Sequence, residues 1–466
     1  MLLVFIGLYF LLTLGVGLWS ARLVKNTADF AVAGRRLPLP MAASALFATW
    51  FGSETILGSS SVFIEEGVIG VIEDPFGAAL CLFLVGILFV RPLYRLNLLT
   101  FSDYFRIRYN RLTELMSAIF MVPSYFGWIA AQLVALALVL NSLTGLSTST
   151  AIICCTIIVL LYTYFGGMWA VSITDFIQTI IIILGLIFLA ISLYDEVGGL
   201  STLITEQKPD FFRAWPRGNI IDILLYVNAW MTIGLGSIPQ QDVFQRVMAA
   251  KSEKISVQAS FTASAMYLVI GLIPLFIGLA GVKLYPDLLS GDTQLLIPGV
   301  VLRHGGVMLQ VFFFGALLSA ILSTTSGAIL APATIIGENV IKPFFKNMTD
   351  KQLLLVMRLS VIIVAMAATL LALWRQNIYE LVAESSAFSL VSLFAPFFLG
   401  LYWKKANATG ATLSMIIGMI TWLVGTTEAW EVPPMLVGFA ASIAAHVIGS
   451  LIFPGTLFDR PSTTQE

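Results

Sequence analysis

Along this chain, long apolar runs alternate with short polar connections, and the runs are long enough to cross a bilayer. A transmembrane helix needs roughly 20 apolar residues. Thirteen runs meet that need, near 2–22, 38–63, 68–90, 112–142, 148–165, 170–194, 220–239, 256–282, 303–336, 353–374, 379–401, 408–427 and 432–453. The pattern predicts an all-α polytopic membrane protein. The 303–336 run exceeds one simple span, so a tilt or a break is expected there. The longest polar connections, near 196–219 and 338–352, have the length of loops, so residues 1–466 read as one transmembrane unit. Leu2–Trp19 has no basic region before it and no small-residue cleavage site after it. It reads as a first spanning helix and not as a removed signal peptide.

Composition agrees with this pattern. The residues are 58% hydrophobic and 11% charged, with mean hydropathy +0.94. Such a chain cannot make the charged shell of a soluble protein. A net charge of −1 gives no reason to expect a nucleic-acid partner. The lysines and arginines set the orientation. With the N-terminus outside, only Lys208, Arg213, Arg217, Lys283, Arg303 and Arg375 fall in outer loops. The other nineteen of the 25 fall inside. This bias supports thirteen spans and a cytoplasmic C-terminus in a plasma (inner) membrane.

Two spans look interrupted. One reads Ala48-Thr-Trp-Phe-Gly-Ser-Glu-Thr-Ile-Leu-Gly58 and continues through Ser59, Ser60 and Ser61. The other reads Gly234-Leu-Gly236-Ser-Ile-Pro239-Gln240-Gln241. Broken backbone is tolerated in lipid only where it lines a cavity or is buried in protein. Five helices from 38 to 194 and five from 220 to 401 would each begin with a broken one. That pairing suits an inverted repeat with the site between the breaks. Residues 2–22 would be an extra helix and 408–453 two C-terminal ones. The alternative is glycine used for close helix packing.

Buried carboxylates are functional candidates because their charge is costly in a membrane. Glu54 sits at the first break, and Glu73 and Asp74 just precede Pro75. Asp175 is near the start of the 170–194 run, where capping by the helix dipole is an alternative. Glu384, in 379–401, reads better as a structural partner for a serine or backbone amide. Ser323, Thr324, Thr325 and Ser326 stand in a row. Hydroxyl oxygens are hard ligands suited to sodium, with carbonyls completing the shell. A single hydroxyl in a membrane helix usually bonds its own i−4 carbonyl. The cysteines (Cys81, Cys154, Cys155) lie in apolar runs and read as packing residues. His304 and His446 are too far apart in sequence to suggest a zinc site.

Three segments closely resemble the sodium/solute symporter family, and the resemblance covers nearly the whole chain. They are Gly166-Gly-Met-Trp-Ala-Val-Ser-Ile-Thr-Asp175-Phe-Ile-Gln178, Gln240-Gln-Asp-Val-Phe-Gln-Arg246-Val-Met-Ala-Ala-Lys-Ser252 and Ser319-Ala-Ile-Leu-Ser323-Thr324. The resemblance implies a leucine-transporter-like five-plus-five fold with one preceding helix. It implies sodium as the coupling ion and no other cofactor. It puts a sodium site on the carbonyls of Ala48, Phe51 and Ala320 with the hydroxyls of Ser323 and Thr324. Asp175 matches the family aspartate linked to a second sodium or to the ion's inward route. The substrate zone would draw on Trp50, Glu54, Thr55, Glu73, Trp128 and Gln240.

Ala48-Thr-Trp50 and Trp128-Ile-Ala-Ala look like the choline-carrying branch, whose tryptophans cage a quaternary ammonium. Gln240 stands where that branch has another tryptophan, and Glu54 is not typical of it. The expected function is therefore sodium-driven import of a small solute, an organic cation or amine. An amino acid such as proline, a sugar or a carboxylate is the alternative, as is a proton in place of sodium. A sensor would carry a signalling domain after Phe453, and an enzyme would need a nucleophile–base pair or metal cluster. Neither is expected here.

Overall fold

The computed structural model describes residues 4, 7–8, 11–12, 15–16, 19–345 and 347–454, with only the backbone of Ala21, Tyr162, Ser319 and Ser323. Most of the expected helix 2–22 lies outside these residues, as does the Ser323 side chain.

The broken first span forms α1 (Leu39–Phe47) and α2 (Ser59–Glu66), with a π-helical turn over Glu54–Gly58. It is followed by α3 (Ile69–Arg95), α4 (Arg111–Thr144), α5 (Thr148–Leu161) and α6 (Thr163–Tyr194). The second broken span forms α7 (Ile220–Gly236) and α8 (Gln241–Ala249), bent by 47°. The chain continues with α9 (Glu253–Leu284), α10 (Val307–Ile335) and α11 (Asp350–Trp374). The last helices are α12 (Ile378–Tyr402), α13 (Ala408–Thr427) and α14 (Pro434–Ile452). Among the described residues, nine helices are long and apolar enough to span alone, and the bent α7–α8 pair makes a tenth.

Local sequence explains the boundaries. Asn110 caps α4 by accepting from the Thr113 amide, and Gly145 ends it in a left-handed conformation. Thr349 with Gln352, and Asn219 with Asp222, form capping boxes for α11 and α7. Near the start of α6, Gly167 is a non-helical kink with φ +55°, and a Cβ there would meet the Phe30 backbone and ring. Only glycine fits that corner. The 303–336 run, for which a tilt or a break was expected, is interrupted near its start: one helix ends at His304, and the next, Val307–Ile335, is continuous. It ends in a π-helical turn over Ile336–Ile341.

α10, α12 and α4 form the interior, and their span windows are 69%, 78% and 67% buried, against 39% for α6, α11 and α14. The outer helices expose Leu184, Ile191, Ile363, Leu370 and Leu451, side chains suited to lipid. The packing is reciprocal. α1 packs on α9, and α7 packs on the first turns of α3. The Thr148–Tyr194 stretch packs on α10, and the first part of α12 packs on α4.

The two ends of the bundle differ. At one, Leu37 and Ala250 form a β-bridge, with Leu37 N–H to Ala249 O at 3.0 Å and Lys251 N–H to Leu37 O at 2.9 Å. Asn339 seals the same end: it accepts from Thr100 (2.8 Å) and donates to Asp103 (2.9 Å) and Glu114 (2.7 Å). At the other end lies a cleft of ≈ 870 Å³. Its walls carry Glu65, Glu66, Glu73, Asp222, Asp292 and Glu380 against Arg213 and Arg217.

Candidate functional site

The first break frees backbone groups in the middle of the bundle. α1 stops at Phe47, and residues 48–52 turn before helix resumes at Ser53. The Ala48 carbonyl accepts a hydrogen bond from the Thr324 hydroxyl of α10 at 3.0 Å. Thr324 and Phe51 are 1% exposed, and Ala48 and Ala320 are also buried. Phe51 stacks on Phe47 and meets Tyr267 edge-on. The neighbouring Thr325 bonds its own helix, at Ile321 O. The hydroxyl run thus splits: one member crosses to the break and the next closes on its own backbone.

Glu54 begins the resumed helix. Its Oε1 accepts from the Trp128 indole N–H and, at 2.8 Å, from Gln132 Nε2, both on α4. Gln132 Oε1 accepts in turn from Ser53 Oγ (2.7 Å), so the amide is oriented from both sides. Glu54 Oε2 is buried and has no hydrogen-bond partner within the protein. One turn on, Ser59 Oγ donates to Asp74 Oδ2 (2.6 Å) and lies 3.2 Å from the Glu54 carbonyl oxygen. Asp74 is non-helical, with φ −145° and ψ 124°, which turns its side chain out of the regular ladder of α3. Its Oδ1 is likewise unpartnered. Thr55 and Tyr267 share a hydrogen bond of 2.6 Å, and both hydroxyls approach the Asp74 carboxyl.

The second break faces the same interior. Gly236 packs so tightly on Ser386 O that a Cβ would lie 2.4 Å from it. Gln240 donates to Ser389 Oγ at 3.2 Å, and Ser389 donates to Ser124 Oγ, on the helix that bears Trp128. Asp242, at the start of α8, accepts from Tyr125 OH (2.6 Å) and leaves its Oδ2 unpartnered. Arg246, one turn later, lies 3.8 Å from Asp175 and donates to the Asp242 carbonyl.

The structure thus joins Ala48 to Thr324 and Glu54 to Trp128 directly, and links Glu54 to Asp74 through Ser59. Trp50, Thr55 and Gln240 are buried around them. Glu73 is half-buried in the cleft wall. Three readings change. Asp175 sits well inside α6, past the first turn where a helix dipole acts, so it is not a cap. Glu384 is exposed and pairs with Arg375 (2.5 Å), not with a serine or backbone amide. Arg246, counted among loop charges, is fully buried.

Sequence reading also passed over Gln132, Tyr125, Tyr267 and the charge of Asp242. Asp242 and Arg246 carried a usable signal, an acid and a base four residues apart beyond a broken span. Tyr267 carried none.

Charge is unevenly matched inside. Of the buried acids, Asp29, Asp103, Glu114 and Glu338 pair with Arg36, Arg106, Arg111 and Lys342. Glu54, Asp74, Asp175 and Asp242 are all at most 2% exposed. Among the described residues, Arg246 is the only buried lysine or arginine. No three His, Cys, Asp or Glu side chains among the described residues converge to hold a metal ion.

Residues 30–418 match the model of the sodium:solute symporter family. The chain belongs to that family. It is thus a multi-pass membrane transport protein of a class that couples solute movement to sodium. It is 28% identical to a high-affinity choline transporter of Torpedo marmorata, over 92% of this chain and 77% of the relative. It is also 28% identical to an osmoregulated proline transporter of Bacillus subtilis, over 96% and 94% of the two chains. A sodium-coupled sialic acid symporter, solved substrate-bound and outward-open, shares the fold. Its TM-score is 0.84 at 20% identity, over 97% of this chain and 98% of that one.

Proposed function

We propose that this symporter imports a small organic cation or amine by sodium-driven alternating access. The carrying observation is the central charge imbalance: Glu54, Asp74, Asp175 and Asp242 share one buried cation, Arg246, among the described residues. An uncompensated buried charge costs about several kcal/mol. Sodium and a cationic solute entering together reduce that cost, and the acidic cleft raises the local concentration of both.

In this reading one sodium binds the carbonyls of Ala48, Phe51 and Ala320 and the hydroxyls of Ser323 and Thr324. Asp175 serves a second sodium or its inward route. The solute contacts Trp50, Glu54, Thr55, Glu73, Trp128 and Gln240. Each ligand strengthens the other by the same free energy. Thirteen spans follow if the broken first span, the short α5 and the 2–22 run each cross. The reciprocal packing of α1 on α9 and α7 on α3 supports a two-fold relation between 38–194 and 220–401. The charge bias puts the cleft outside and the Asn339 end in the cytoplasm, an outward-open state of a plasma-membrane protein.

An amino acid is the second reading, supported by the full-length similarity to a proline transporter. Proteoliposome uptake with organic cations, amino acids, sugars and carboxylates, in sodium or lithium at fixed pH, tests both. Sodium-driven uptake of cations supports the first reading. Uptake confined to neutral or anionic solutes, or indifferent to sodium, overturns it.

A further inference from the structure

Resting on that reading, we infer that Glu54 and Asp74 form a pocket for an ammonium group that still carries N–H, and that they discriminate against quaternary ammonium. The unpartnered oxygens make the argument. Trp128 and Gln132 both donate to Glu54 Oε1, fixing the carboxylate and leaving Oε2 over. Ser59 fixes Asp74 through Oδ2, and the Thr55 and Tyr267 hydroxyls, bonded to each other, approach the carboxyl but leave Oδ1 without a hydrogen bond. Both residues are at least 98% buried. A buried acceptor left unmatched is costly, and more so when charged.

A quaternary ammonium brings charge but no donor, so it would leave both oxygens unsatisfied. An ammonium with one or more N–H supplies charge and hydrogen bonds together, the stronger combination. The aromatic route to binding is weakened at the same place. The Trp128 indole is tied edge-on to Glu54 by its own N–H. Gly58 and Glu73, the sequence neighbours of Ser59 and Asp74, line the acidic cleft.

The test uses the purified full chain in sodium and a probe series differing only in N–H count: ethanolamine, N-methylethanolamine, N,N-dimethylethanolamine and choline. Binding is read by calorimetry and transport by proteoliposome uptake. The expected result is at least tenfold weaker binding of choline than of the dimethyl compound, a step lost in Glu54→Gln and reduced in Asp74→Asn. Glu54→Gln keeps an acceptor for Trp128 and Gln132, and its helical signal and elution volume report folding. Choline binding as well as the others, a step that survives Glu54→Gln, or no binding by any member overturns the pocket. Sodium-driven choline uptake with no such step overturns the pocket while leaving the transport reading intact. Uptake only of uncharged or anionic solutes overturns the transport reading itself.

Discussion

Thr324 reaches across the bundle to donate its hydroxyl to the Ala48 carbonyl at 3.0 Å, tying α10 to the break in the first span. That carbonyl lost its regular helical partner where α1 ends. The bond therefore holds together two oxygens proposed for the sodium site. Replacing it with sodium exchanges one satisfied contact for a stronger one.

Thr324→Ala removes both the bond and a proposed ligand oxygen. The loss of one buried hydrogen-bonding group is about 1–3 kcal/mol. The half-saturating sodium concentration for uptake should rise about tenfold or more. Combining it with Ser323→Ala should raise it further. Full sodium activation of the double variant, measured as uptake against sodium concentration, would remove the site from this crossing.

Trp128 has two separable properties, ring and N–H. Trp128→Phe keeps most of the packing and deletes the donor to Glu54. If the indole acts as an aromatic wall, Phe preserves apparent solute affinity. If its hydrogen bond positions Glu54, affinity falls about tenfold, roughly the value of a hydrogen bond to a charged group. We expect the fall, and Trp128→Ala and Trp50→Ala should weaken uptake at least as much. Unchanged affinity in Trp128→Phe contradicts the positioning role.

Hydropathy and charge made the helical architecture readable, because a bilayer demands continuous apolar runs and sorts lysine and arginine by side. The breaks at Ala48–Gly52 and Ser237–Gln240 were readable too, from glycine, proline and polar residues within apolar runs. The partners were not. Glu54 was visible as a buried carboxylate, yet nothing in the sequence says that Gln132 and Trp128 share one of its oxygens. Arg246 looked like a loop cation because its helix is short and follows a bend. Only the fold brings it to Asp175, far away in sequence. Glu384 misled in the other direction, since an apolar run does not reveal which face of its helix is wet.

Arg246 is buried between Asp175 and Asp242. Removing one partner of a buried pair costs about 3–5 kcal/mol because the other charge is stranded. Arg246→Gln should lower thermal stability markedly in sodium-free buffer, and added sodium should restore part of it. Adding Asp175→Asn to Arg246→Gln should recover stability, since the two are coupled. Strictly additive losses in the double variant, followed by thermal unfolding, would show that the pair is not energetically linked.

Asn339 offers a prediction that separates size from charge at the closed end. Its amide nitrogen donates to Asp103 and Glu114, and its oxygen accepts from Thr100. Asn339→Ala leaves two buried carboxylates each short of a donor. Asn339→Asp keeps the shape but sets a third carboxylate against those two, replacing attraction with repulsion. The expected order of thermal stability is wild type, then Asn339→Ala, then Asn339→Asp. Hydrogen exchange over 241–249 should rise in the same order, because Gln241 Oε1 accepts from the Phe101 amide beside this network at 2.6 Å. An Asp variant as stable as wild type would mean that the amide's donors do not hold this end shut.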